Sequence, residues 1–358
     1  MKSPFGGGNT ELRDTRKYVI FAFITIVVIS AVMLAGCTRR VEKPSGGTPT
    51  TTAETQKPRR KIAFVMKLIG IPYTNVCEDG MKKAAQELGI DAVFLGPPTG
   101  GDTIGQINII EDQISRGVDA IIISPNDDKA VIPVIKKAMS KGIKVFTWDS
   151  DAPKSERIFY VAAADDVGIG VEVIDRVAKD IGGKGKVAVM TGSANALNLS
   201  LHVQGVEKGA KKYPGIKLVQ PYIYNDDDQQ KAIQGAITLL QANPDLAGFA
   251  CVNSPGVPGA ARALIQTGKD KKVVVWGLSI PSENRQYIKD GVVKGLTLWD
   301  PGKLTYLTVK LVNDYLDGKK PYNGMSVPGI GVLKVKPNGI IIMPGLIITK
   351  ENVDQFKF

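Results

Sequence analysis

The chain is expected to be an α/β protein of two doubly wound lobes of similar size. Three observations predict this. Short, very apolar runs such as KIAFVMK (61–67), VDAIIIS (118–124) and GKVAVMTG (185–192) alternate with amphipathic stretches, the pattern of strand–helix–strand units around a parallel sheet. The alternation runs its course by residue 150 and begins again near residue 165. The length, 358 residues, suits two ordinary domains rather than one.

The elements follow in order. Residues 61–67 form a strand and residues 73–88 an amphipathic helix, with Gly89 as its left-handed cap. DAVFLG (91–96) is the next strand, and residues 103–116 the next helix, closed by Gly117. VDAIIIS is apolar enough to be buried on both faces. Asn126 caps a helix that runs to Lys141, with Pro133 kinking it, and IKVFTWD (143–149) is the fourth strand. The segment DAPKSERIFYVAAADD (151–166) reads as the loop that joins the lobes, near 155–165. In the second lobe, helices are expected over 165–181, 196–213, 227–242 and 256–268. The strands are 185–192, 216–224, 247–253 and 272–278. LTLWDPG (296–302) and the segment 326–358 cross back between lobes. The first lobe is then 61–164 plus about 300–325, and the second 165–299 plus about 326–358. Lobes joined by several crossovers hinge as rigid bodies about a cleft.

Composition narrows the function. Hydrophobic residues are 43% and charged residues 23% of the chain, which are globular values. The net charge is +11, but residues 1–60 alone hold ten basic and four acidic side chains, so the body is only mildly basic. No Lys/Arg stripe interleaved with aromatics is present, and no nucleic-acid partner is expected. One histidine, His202, and three cysteines exclude Cys/His metal clusters and a disulfide framework. Cys77 and Cys251 fall in different lobes and are expected to be free thiols.

The first 60 residues read as an address and a tether. Arg16 and Lys17 precede the apolar run YVIFAFITIVVISAVMLAG (18–36), as in a secretory signal, with an uncleaved membrane anchor as the alternative. The run ends in Leu34-Ala35-Gly36-Cys37, which resembles the bacterial lipobox. That resemblance implies a signal peptide over 1–36, cleavage before Cys37 and a lipid on Cys37. Residues 37–60 are rich in Thr, Pro, Gly and charge, with Val41 their single large aliphatic residue. They read as a disordered tether from that lipid, which places the body on the extracytoplasmic face of the cell membrane.

Ligands of open α/β sheets bind beyond the carboxyl ends of the strands. The residues that follow the predicted strands are Lys67, Asp149, Asn253, Ser279 and Asp300, with Trp148 and Trp299 beside the two aspartates. An aromatic face next to carboxylate and amide groups suits a small polyol. Catalytic constellations are missing. Gly168-Ile169-Gly170 lies inside a helix rather than after a strand, Gly182-Gly183-Lys184 lacks the phosphate-loop spacing, and no GxSxG elbow occurs. His202 has no nucleophile partner and reads as a helix-face residue. Asp226-Asp227-Asp228 reads as negative charge at a helix N-terminus rather than a calcium loop. No catalytic residue, metal or cofactor is expected.

The segments KIAFVMKLIG, GVDAIIISPND, KVFTWDSD, ANPDLAGF, GLTLWD and SVPGIGVLKVKPNG resemble those of type I periplasmic binding proteins of ABC importers, and look most like the autoinducer-2 and rhamnose-type sugar-binding branch. The resemblance covers residues 61–358. It implies two Rossmann-like lobes joined by a three-segment hinge and closing on one small ligand, with an ABC permease and ATPase as partners and a monomeric state. Lys67 and Asp149 match the lysine and aspartate that hold the ligand in autoinducer-2 receptors. Asn198-Leu199 stands where those receptors have Asp-Gln, and Val252-Asn253-Ser254 where they have Pro-Asp-Ala. Ribose-type relatives have an asparagine at Asn253, which points to a monosaccharide. On this reading Asp149 accepts from hydroxyls, Lys67 and Asn253 flank them, Asn198 adds a contact, and Tyr73, Trp148 and Trp299 supply packing faces. Two alternatives stay open: an autoinducer-2 receptor, and a sensor that presents its closed form to a membrane kinase.

Overall fold

The computed structural model describes residues 59–343 and 345–358. The signal peptide over 1–36, Cys37 and all but the last two residues of the 37–60 tether lie outside them. Those last two are not tether. Arg59 pairs with Asp91 at 3.1 Å, and Arg60 with Asp317 at 2.5 Å, so the ordered body begins before residue 61.

The first lobe opens with β1 (Lys61–Val65), α1 (Pro72–Leu88), β2 (Asp91–Leu95), α2 (Thr103–Ser115), β3 (Ala120–Ile123), α3 (Ile132–Ser140), β4 (Lys144–Trp148) and β5 (Tyr160–Ala162). The second follows as α4 (Asp166–Asp180), β6 (Lys184–Thr191), α5 (Leu197–Ala210), β7 (Gly215–Tyr224), α6 (Gln229–Ala242), β8 (Leu246–Cys251), α7 (Gly256–Gln266), β9 (Val274–Gly277), α8 (Pro281–Lys289) and β10 (Gly295–Leu298). The chain then returns through α9 (Pro301–Leu316), β11 (Ser326–Val327), β12 (Gly331–Val332), β13 (Lys334–Lys336) and β14 (Ile340–Ile342), and ends with β15 (Leu346–Ile348).

These strands make two sheets of order β13-β14-β5-β4-β3-β1-β2 and β15-β10-β9-β8-β6-β7, with β11 and β12 in a separate hairpin. Every pair in the two sheets is parallel except β13–β14 and β10–β15. The chain passes between the sheets three times, after β5, after β10 and after β14. This is the two-lobed α/β architecture with a three-segment hinge that the sequence predicts.

β3 shows why the apolar runs were informative. All four of its residues are buried; Ile121 and Ile123 pack into the core on one face of the sheet, Ala120 and Ile122 into the core on the other. At the end of α1, Gly89 adopts φ 63°, the left-handed cap.

Four expectations need correction. The helix expected from Asn126 starts only at Ile132, so Pro133 falls in its first turn, where a proline costs no hydrogen bond and causes no kink. Asn126 itself is buried, with its side-chain amide on Lys67 O at 2.8 Å. The joining loop 151–166 contains β5, a fully buried strand of only three residues, too short for periodicity to reveal. The third correction concerns 326–358, which does not all belong to the second lobe. β14 pairs in parallel with β5, and β13 pairs with β14, so residues 334–342 extend the first sheet. Only β15 onward joins the second. An apolar triplet such as III at 340–342 can add to either sheet edge, and nothing local says which. Finally, α6 begins at Gln229, after the triple aspartate rather than within it. Cys77 and Cys251 are buried free thiols in the cores of different lobes, as expected.

Candidate functional site

The site grows from the ends of the first-lobe strands. β1 runs out into Met66 and Lys67, and β4 into Asp149. Asp149 takes φ 59°, an unusual conformation for a residue with a Cβ. It is fixed from both sides: its N–H donates to Val161 O at 3.0 Å, and Tyr160 Oη donates to its carbonyl at 2.9 Å. The turn aims the carboxylate across the strand ends, where it meets three donors. Lys67 Nζ donates to Oδ2 at 2.8 Å, Ser124 Oγ to Oδ2 at 2.9 Å and Tyr73 Oη to Oδ1 at 2.9 Å. Trp299 Nε1 donates to Tyr73 Oη at 3.2 Å, and the two rings meet edge to face. Lys67 and Asp149 are 6% and 3% exposed. Burial pushes the Asp149 carboxyl up, but the Lys67 ammonium and the bonds from Lys67, Ser124 and Tyr73 together outweigh it. They hold the group below the ordinary carboxylate range. Burial, with Asp149 next to it, pushes the Tyr73 phenol well up, so it stays a neutral donor.

The second lobe faces this cluster. Lys67 Nζ also donates to Asn198 Oδ1 at 3.2 Å, so one ammonium bridges the two lobes. Asn253 follows β8, and its amide donates to Asn225 Oδ1 at 2.7 Å and to Asp227 Oδ1 at 2.8 Å. Asn225 returns a bond to Asn253 Oδ1 at 3.2 Å. His202 is buried behind them. Its Nδ1 lies 3.2 Å from Val252 O and its Nε2 3.3 Å from Asp166 Oδ1. Burial raises the Asp166 carboxyl, with His202 pulling the other way.

Of these residues Lys67, Tyr73, Asp149, Asn198, His202, Asp227, Asn253 and Trp299 line one cleft between the lobes, with Met66, Leu68, Ile71, Thr74, Leu199, Ser254 and Leu278 completing its walls. The enclosed space of the cleft is ≈ 40 Å³. That is room for a few waters and much less than a ring sugar occupies. A ring sugar therefore enters only if the lobes part or Lys67 lets go of Asn198. The lobes also touch at the rim, where a Cβ on Gly100 would lie 2.1 Å from Asp226 O, a contact that only glycine permits.

Six of the residues expected at the site, Lys67, Tyr73, Asp149, Asn198, Asn253 and Trp299, line this cleft. Three do not. Trp148 is fully buried in the first-lobe core, edge-on to Phe64 at 4.5 Å, because the last strand residue points into the sheet-helix layer while Asp149 turns away. Ser279 is consumed internally, donating to Ser254 O at 2.7 Å and accepting from Asn284 at 2.8 Å. Asp300 caps α9, accepting from Lys303 N at 3.0 Å, and lines a different groove beside Tyr306 and Lys357. Asp227, Ser254 and His202 were not foreseen as cleft residues. The signal for Asp227 was available: Asn225 to Asp228 follow the end of β7, where ligand sites lie, and only Asp228 caps the helix, accepting from Lys231 N at 2.8 Å. Among the described residues no cluster of His, Cys, Asp or Glu could hold a metal ion, and no helix is long and apolar enough to cross a membrane.

A family model for the periplasmic binding protein domain matches residues 62–320. The chain belongs to the periplasmic binding protein family. This binding protein is 25% identical over 307 residues to the ribose import binding protein RbsB of Bacillus subtilis, an alignment covering 86% of this chain and 97% of that one. Among solved structures it resembles an ABC transporter solute binding protein from Clostridium phytofermentas with bound L-rhamnose. That match has 26% identity and a TM-score of 0.77, covering 83% of this chain and 98% of the other. It also resembles LsrB from Clostridium saccharobutylicum in complex with AI-2, at 25% identity and a TM-score of 0.76, covering 83% of this chain and all of that one. These relatives are binding proteins, and this chain is a binding protein rather than an enzyme.

The buried pair makes a prediction about acid. A carboxyl held below its unfolded value contributes stability above the ordinary carboxylate pKa of about 4, and that contribution is lost as pH falls through the lower folded value. Asp149→Asn should therefore be less stable than the parent at neutral pH, and the gap should close as pH drops below about 4. Denaturant unfolding across that range reads it; a gap of constant size contradicts the ion-pair account.

Proposed function

We propose that the protein captures a small neutral sugar in the interlobe cleft and delivers it to an ABC importer from the outer face of the cell membrane. The observation that carries this reading is the convergence of strand ends from both sheets on one cleft with a buried carboxylate, an ammonium, the Asn198 amide and an aromatic wall. Such a surface offers hydrogen bonds for hydroxyls and a ring edge for C–H groups, and the ribose- and rhamnose-binding relatives support it. Lys67 is the cross-cleft group a ligand must engage or displace. The importer then senses closure: a ligand that bonds to both walls stabilises the closed arrangement by the difference in its affinity for the two states. The resemblance of Leu34-Ala35-Gly36-Cys37 to a lipobox supports a lipid on Cys37 as the membrane attachment.

Two measurements test this. The detergent-solubilised whole chain should show a higher thermal midpoint with one of D-ribose, D-allose, D-arabinose, L-rhamnose or autoinducer-2. A ligand at 100 times its Kd adds about 2.7 kcal/mol, and Asp149→Ala should abolish the shift. No shift with any of them, or an undiminished shift in the variant, contradicts the reading; a shift with autoinducer-2 alone moves it to the receptor alternative. Separately, the parent should incorporate a labelled fatty acid and lose residues 1–36, and Cys37→Ser should do neither. A parent that takes up no label and keeps residues 1–36 shows that the apolar run itself is the anchor.

A further inference from the structure

The two walls of the cleft differ in how much hydrogen-bonding capacity they have left. On the first-lobe wall Asp149 already accepts from Lys67, Ser124 and Tyr73, which leaves room for about one more bond among its roughly four acceptor positions. Tyr73 both donates to Asp149 and accepts from Trp299. On the second-lobe wall Asn253 is spent as a donor. Its two amide protons go to Asn225 and Asp227, and its oxygen accepts from Asn225.

Asp227 and Ser254 are different. Asp227 Oδ1 accepts from Asn253, while Oδ2 has no hydrogen-bond partner among the described residues. The residue sits at φ 57°, directly after Asp226 at φ 51°, with its N–H held by Asn225 Oδ1 at 3.0 Å. Successive left-handed residues with side chains are costly and persist only where surrounding bonds impose them; here the result is a carboxylate turned back to Asn253 at the cleft wall. Ser254 Oγ is buried with no hydrogen-bond partner among the described residues, although its own carbonyl is fixed by Ser279. A buried hydroxyl left unpaired in a ligand cleft is a vacancy in the bonding pattern that calls for an explanation.

We infer that Asp227 and Ser254 are the second-lobe groups that meet the ligand, and that Asn253 is a positioning residue that holds Asp227 in place. The inference rests on the reading of the cleft as a sugar site. It also sets the ligand's chemistry. Asp227 accepts and cannot donate when ionised, so the ligand edge facing it carries hydroxyl donors, and Ser254 bonds a neighbouring hydroxyl. A carboxylate or phosphate on that edge meets like charge. Neutral vicinal diols are taken, and sugar acids and sugar phosphates are refused.

The test is calorimetric titration of the whole chain in detergent with D-ribose, D-allose, D-arabinose, L-rhamnose and autoinducer-2. Asp227→Asn, which keeps shape, should weaken binding of the accepted compound about tenfold or more, and Ser254→Ala about threefold or more. Asn253→Ala should weaken binding through Asp227 alone, so Asp227→Asn combined with Asn253→Ala should bind no more weakly than Asp227→Asn. Near-parental affinity in both Asp227→Asn and Ser254→Ala overturns the inference while leaving the sugar reading standing, as do losses that multiply in the double variant. If Asp227→Asn fails to fold, judged by its ligand-free melting, Ser254→Ala decides alone. A parent chain that binds none of the five removes the sugar reading, and the inference with it.

Discussion

A single buried ammonium organises the cleft. Lys67 sits where neither it nor Asp149 can be solvated, and an uncompensated charge in that position costs several kcal/mol. Each therefore needs the other, and the surrounding structure is arranged so that they meet. β1 ends one residue before Met66, the turn after β4 holds Asp149 at positive φ, and Ser124 and Tyr73 supply the remaining bonds. The same ammonium reaches Asn198 in the second lobe, so the pair that solves an electrostatic problem inside one lobe also links the two. A ligand bound in the cleft, as proposed, would compete with that link directly.

The topology makes the competition consequential. Three crossovers join the sheets, a construction in which two lobes can close on each other as rigid bodies about the connecting segments. The contact between Gly100 and Asp226 at the rim and the Lys67–Asn198 bond deeper in are two points where one wall rests on the other. Asn225, Asp227 and Asn253 form a rigid amide–carboxylate cluster on the second wall, and Ser124, Tyr73 and Trp299 brace the first. The hydrogen bonds that fix the walls are thus kept apart from the connecting segments, the division that closure on one small molecule requires.

Much of this was legible in the residues. Apolar runs such as VDAIIIS located doubly buried strands, and glycines such as Gly89 marked helix ends, because burial and backbone sterics act locally. The rule that ligands sit beyond strand ends led to Lys67, Asp149 and Asn253. It failed where orientation mattered. Trp148 and Asp149 are neighbours, but one turns into the core and the other into the cleft. Ser279 and Asp300 follow strands and are used up by Asn284 and Lys303. The place of Asp227 on the cleft wall could have been read from its position just after β7, but three aspartates before a helix satisfy the helix dipole argument equally well, and the folded chain shows that Asp228 does the capping. Assignment of 334–342 to the first sheet depends on β5, a three-residue strand some 180 positions earlier in the chain, and a pairing of that kind leaves no local signature.

The measurement that bears most directly on this account is a double-variant cycle on the unfolding free energy, with Lys67→Met, Asp149→Leu and the two combined. If the charges are a mutually dependent buried pair, each single variant strands the other charge and costs about 3–5 kcal/mol, while the combined variant is less destabilised than either one. Losses that simply add in the combined variant would contradict the claim that this pair underlies the cleft.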